Sequence, residues 1–154
     1  MPDTPLSPAS SKHIPPRILI VEDEFLIAQL IEDMVTELGY LVVGVATTVA
    51  AALTAFKELD FDAVLLDINL NGRRNPETAD FLLQRGIPFA FVSGYDNVTE
   101  PHHAHVPMVL KPFSDDQIGA ALRGLVGPGT VHNEVSEANS YNAGENQQSP
   151  LKSF

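Results

Sequence analysis

The sequence predicts an open α/β fold in which a parallel sheet is covered by helices on both faces. Three observations predict it. Short apolar runs alternate with segments whose apolar residues recur at helical spacing, the pattern of βαβ units. The runs are unbroken Val/Ile/Leu stretches without polar alternation, as strands buried on both faces require. Four of them end in an acidic or reactive side chain: Ile18-Leu19-Ile20-Val21 into Glu22-Asp23, Val64-Leu65-Leu66 into Asp67, Phe89-Ala90-Phe91-Val92 into Ser93, and Val106 to Leu110 into Lys111-Pro112. In a parallel α/β sheet the carboxyl ends of the strands open on one crevice, where ligands bind.

Residues 1–16 are rich in Pro and Ser without periodicity and read as a flexible leader. After the first strand, Ile27, Leu30, Ile31, Met34 and Leu38 form a helical stripe, and Gly39 is placed to end the helix. Leu41-Val42-Val43 is a second strand. Val49, Ala52, Leu53 and Phe56 form the next helical face, with Thr48 as its N-cap. The third strand, Ala63 to Asp67, leads into a loop, Asn69 to Arg74. Asn75 then caps a helix with Pro76 at its first position, ending near Gly86. Ser114-Asp115-Asp116-Gln117 is a capping box opening a last helix with Ile118, Ala121, Leu122 and Leu125 inward. Between Tyr95 and Val106, Pro101 and the lack of an apolar stripe predict no firm helix. From Gly127 to Phe154 the chain is polar and reads as a disordered tail, which leaves 17–126 as one domain.

Composition narrows the function. The 154 residues suffice for one domain with a real core. The net charge of -11 argues against nucleic-acid binding, which needs a basic surface, and points to a protein partner. There is no cysteine for a disulfide, thiolate metal site or thiol catalysis. No apolar run approaches a membrane span or a signal peptide, so the expected setting is the cytoplasm.

Gathered at one sheet edge, Glu22, Asp23 and Asp67 would repel one another unless a cation sits among them. A site of oxygen ligands suits Mg²⁺, which completes its shell with water and phosphate oxygens. Phosphoryl chemistry on a carboxylate follows: such an oxygen can attack a phosphohistidine or acyl phosphate in line. A dehalogenase-type phosphatase would need an Asp-x-Asp nucleophile after the first strand, and a dinucleotide site would need Gly-x-Gly-x-x-Gly there. Neither is present.

The stretches LIVEDE, LLDINLNG, FVSGYD and VLKPF, in this order at successive strand ends, resemble the receiver domain of two-component response regulators over roughly residues 15–126. The resemblance implies a flavodoxin-like five-stranded sheet of order 2-1-3-4-5. It implies Asp67 as phosphoacceptor and Mg²⁺ held by Asp23 and Asp67, by Glu22 through water, and by the Asn69 carbonyl. Lys111, before a cis Pro112, would pair with Asp67 and then with the phosphoryl group, and Ser93 would hold another phosphoryl oxygen. The common aromatic three residues before the lysine is replaced by Met108. Tyr95 after Ser93-Gly94 is instead similar to the Phe-Ala-Thr-Gly-Tyr subgroup, where the fourth helix is degenerate; this makes Ser93 and Tyr95 the expected switch.

The implied function is that of a stand-alone, monomeric regulator phosphorylated by a histidine kinase or histidine phosphotransfer protein. It would signal by protein contact or act as a phosphate sink, catalysing only its own phosphorylation and dephosphorylation. The rival is a pseudo-receiver that binds a partner without phosphorylation. His102, His103 and His105, with no supporting carboxylate motif, read as a solvated loop rather than a zinc site.

Overall fold

The computed structural model describes residues 14–94 and 100–130. Five parallel strands form the sheet: β1 (Arg17–Val21), β2 (Leu41–Ala46), β3 (Ala63–Leu66), β6 (Phe89–Ser93) and β7 (Met108–Leu110). Their spatial order is β2-β1-β3-β6-β7. Since β4 (Asn69–Leu70) and β5 (Arg73–Arg74) pair separately as an antiparallel hairpin, this is the expected 2-1-3-4-5 order.

Side-chain alternation divides the core in two. Ile18 and Ile20 of β1 face one way with Leu65 and Val92, onto α1 (Phe25–Glu37) and α4 (Asp115–Val126). Leu19 and Val21 face the other way with Leu66 and Phe91, onto α2 (Val49–Glu58) and α3 (Pro76–Gln84). Both faces are covered by buried side chains: Ile31, Val35, Ile118 and Leu122 on one, and Ala52, Phe56 and Leu82 on the other. Truncating a side chain as enclosed as Leu82 to alanine would cost about 2–5 kcal/mol.

The caps follow the local sequence closely. The Thr48 hydroxyl accepts the Ala51 N–H at 3.0 Å, and Ser114 and Gln117 make both bonds of the capping box. Gly39 follows α1 at φ +90°, a conformation that favours glycine. A Cβ there would stand 2.3 Å from the Thr130 carbonyl oxygen. Residues 127–130, which composition assigns to the tail, lie against this corner: Thr130 N–H donates to Gly39 O at 2.8 Å, and the Tyr40 hydroxyl donates to Gly127 O at 2.6 Å.

Four sequence expectations need correction. Leu30 is 45% exposed because α1 turns Ala28, Ile31 and Val35 inward instead. Asn75 occupies the N-cap of α3 but makes no side-chain cap bond; its amide donates to Ile68 O at 2.8 Å and its side-chain oxygen accepts from the Thr78 hydroxyl. The 69–74 stretch is a hairpin rather than a loop, its turn made by Asn71 and Gly72 at φ 55° and 75°, the type I′ geometry of an Asn-Gly pair. Finally, His103 is buried at 2% exposure while His102 and His105 are exposed. Between β6 and β7 the described residues form only a 3₁₀ turn, Pro101–His103; the remainder of the stretch expected to lack a firm helix, residues 95–99, lies outside the described residues. No helix among the described residues is long and apolar enough to cross a membrane.

Candidate functional site

Parallel pairing brings the ends of β1, β3, β6 and the turn after β7 together. Asp67 N–H donates to Val21 O at 2.9 Å, and Lys111 N–H donates to Ser93 O at 2.8 Å. Glu22 N–H likewise donates to Ala46 O at 3.0 Å, so the ladder itself positions Glu22, Asp67, Ser93 and Lys111. Asp23, Asp67, Asn69, Ser93 and Lys111 line one cleft of about 450 Å³. Asp67 and Ser93 are buried, Asp23 and Asn69 half-buried.

Asp67 is held at both oxygens. Oδ1 accepts the Asn69 N–H at 2.9 Å, and Oδ2 accepts from Lys111 Nζ at 3.0 Å. The same ammonium donates to Glu22 Oε2 at 2.8 Å, and the Lys111-Pro112 peptide is cis. Glu22 Oε1 accepts the Glu24 N–H at 3.2 Å. Asp23 Oδ2 accepts the Asn71 N–H at 2.9 Å.

The electrostatics follow from burial. Glu22 is fully enclosed, and loss of water raises its pKa to about 7, against the opposing bond from Lys111 and with the Asp67 charge adding to the rise. Burial also works against the Lys111 charge, but its bonds to Glu22 and Asp67 outweigh this and hold its pKa above the usual lysine value. The cleft region thus has one half-buried ammonium against three carboxylates.

Glu22, Asp23 and Asp67 each offer an oxygen, all within 4.8 Å of one another. Hard oxygen donors in that number fit a cation of the Mg²⁺ class. The fit is best at Asp23 and Asp67, which line the cleft; Glu22 is fully enclosed and does not line it, consistent with a contact to metal only through water. Asn69 is at the cleft wall, where the resemblance puts its carbonyl as a ligand. Tyr95 lies outside the described residues. Asp80 went unremarked in the sequence although its carboxylate meets two histidines; no local motif marks it.

The family model for the response regulator receiver domain matches residues 18–123. The chain is 39% identical over 54 residues to the chemotaxis protein CheY of Thermotoga maritima, covering 35% of this chain and 45% of that protein. It is 32% identical over 110 residues to the phyllosphere-induced regulator PhyR of Methylorubrum extorquens, covering 68% of this chain and 41% of PhyR. The chain therefore spans less than half the length of these curated relatives. Among solved structures, SdrG of Sphingomonas melonis Fr1 superposes with a TM-score of 0.65 at 39% identity, over 72% of this chain and 96% of SdrG; a BeF3-activated conformation of SdrG is also solved. With sheet order, strand-end carboxylates and lysine all in agreement, the chain belongs to the response regulator receiver domain family of two-component systems.

Proposed function

We propose that this receiver domain takes a phosphoryl group onto Asp67 from the phosphohistidine of a histidine kinase or phosphotransfer protein. The observation that carries this reading is the 3.0 Å contact between Lys111 Nζ and Asp67 Oδ2 in a cleft that also contains Asp23 and Ser93. One Asp67 oxygen attacks phosphorus and forms the P–O bond as the P–N bond breaks. The bonding pair leaves with the imidazole nitrogen, which takes a proton from solvent, and a mixed anhydride remains.

The chain's own groups answer the charge that arrives. The Lys111 ammonium can follow a phosphoryl oxygen while remaining beside Glu22, and the Ser93 hydroxyl can donate to a second oxygen. The Asn69 N–H keeps Oδ1 oriented. Asp23, Asp67 and the Asn69 carbonyl, with Glu22 through water, would hold Mg²⁺, which would neutralise charge on the phosphoryl oxygens. Movement of Ser93 toward the new group would shift Gly94 and Tyr95, so Tyr95 is the residue through which the state is passed on. The output is a contact with another protein, or removal of phosphate from a shared kinase, in the cytoplasm.

Incubation with acetyl phosphate and Mg²⁺, read by intact mass, tests the reading. The expected result is one added phosphoryl group, absent from Asp67→Asn. An unmodified wild-type chain, with no Mg²⁺-dependent beryllofluoride shifts in its NMR spectrum, would instead identify a pseudo-receiver.

A further inference from the structure

Away from the acidic cleft, α3 and the 3₁₀ turn meet through three side chains. His102 Nε2 stands 2.7 Å from Asp80 Oδ1, and His103 Nε2 stands 2.8 Å from the same oxygen. The two imidazoles are 4.1 Å apart between ring centroids. One carboxylate oxygen thus draws two ring nitrogens from adjacent residues, and the three donor atoms all lie within 4.8 Å of one another. His103 is buried, its ring 5.8 Å from that of Phe91.

We propose that Asp80, His102 and His103 form a second metal site, for Zn²⁺ or a similar late first-row divalent cation. Two imidazoles and one carboxylate are the ligand chemistry of such ions and differ from the all-oxygen set in the cleft. Three protein ligands leave a position for water or a further ligand. Tetrahedral zinc at about 2.0–2.1 Å from each donor separates donors by about 3.3 Å. The present contacts need to open by roughly half an ångström, and the exposed His102 ring can make that adjustment.

Glu100 Oε2 lies 3.7 Å from His103 Nδ1 and 2.9 Å from Arg74 Nη2. At 3.7 Å this carboxylate makes no hydrogen bond to Nδ1, but its charge adds to that of Asp80 beside the same ring. An ion here would fasten the turn that leads into β7 to α3. None of its three ligands lines the acidic cleft.

Zinc titration of the full chain, stripped with chelator and kept in excess Mg²⁺, tests the proposal. One equivalent should bind, with Zn²⁺-dependent displacement of the His102 and His103 Nε2 resonances in long-range ¹H–¹⁵N spectra. His102→Ala, at an exposed position, and Asp80→Asn should each weaken binding at least about tenfold, whereas Asp67→Asn should bind as wild type. No uptake, uptake unchanged in His102→Ala, or uptake lost in Asp67→Asn would each overturn it, the last by locating the ion in the acidic cleft.

Discussion

The Asn71 N–H donates to Asp23 Oδ2 at 2.9 Å across 48 residues of sequence, so the tip of the β4–β5 hairpin is fastened to a carboxylate of the acidic cleft. On the proposed function Asp23 would have two duties, and substitutions can separate them. Asp23→Asn keeps an oxygen that can accept this bond but loses the charge for Mg²⁺. Asp23→Ala loses both. Each should nearly abolish phosphorylation by acetyl phosphate. Only Asp23→Ala should also increase hydrogen exchange at the Asn71 amide. Equal protection of that amide in the two variants would contradict the assignment.

Lys111 separates two buried carboxylates, and its removal leaves them facing each other. Lys111→Ala should lower the unfolding free energy by about 1–3 kcal/mol in denaturant titration, the loss limited because Glu22 can take a proton. Adding Glu22→Gln should recover part of it, since the unpaired charge is then gone. A double variant no more stable than Lys111→Ala alone would show that Glu22 carries no charge penalty.

Tyr95→Ala should leave acetyl phosphate labelling of Asp67 close to wild type while blunting the response of the following segment. The measurement is backbone relaxation dispersion and hydrogen exchange over residues 96–105, with and without beryllofluoride. An identical beryllofluoride response in wild type and variant would move the switch to another residue, with Met108 of β7 the first alternative.

At the opposite edge of the sheet, Asp62 accepts from both the backbone N–H and the side chain of Arg17, at 2.7 and 3.2 Å on Oδ2. The Arg17 side-chain bond is the main cause that lowers the Asp62 pKa. A carboxylate lowered on folding adds stability above its unfolded pKa and loses it as pH falls through the folded value. Asp62→Asn should therefore melt below wild type at neutral pH, with the gap closing in acid below about pH 4. The gap should be small, because the pair is 38% exposed on each side. A gap that widened in acid would reverse the sign and exclude this pairing as its source.

Much of this was legible in the sequence because burial on both faces leaves a strong signature. Runs such as Ile18 to Val21 and Val64 to Leu66 define strands without help from context, and their final residues define the cleft. The hairpin was harder, since two-residue strands carry no periodicity, although Asn71-Gly72 marks its turn. Spacing alone does not settle the face of α1 at Leu30, because a stripe of apolar residues does not fix helix rotation to within one position; packing against the sheet selects Ala28 and Val35. The burial of His103 and its contact with Asp80 were beyond reach. They depend on how a turn between strands settles on a helix more than twenty residues earlier, and no spacing rule encodes that.

The closure at Gly39 governs how the domain can be attached to anything else. The chain enters the fold beside Pro16, whose carbonyl accepts the Leu41 N–H at 3.0 Å, and the last described residue, Thr130, bonds to Gly39 two positions earlier. Entry and exit thus share the amino-end rim of the sheet, while Asp67 sits at the carboxyl-end rim. A tether, resin or fused partner joined near either point meets the domain from behind and leaves the cleft around Asp67 facing outward.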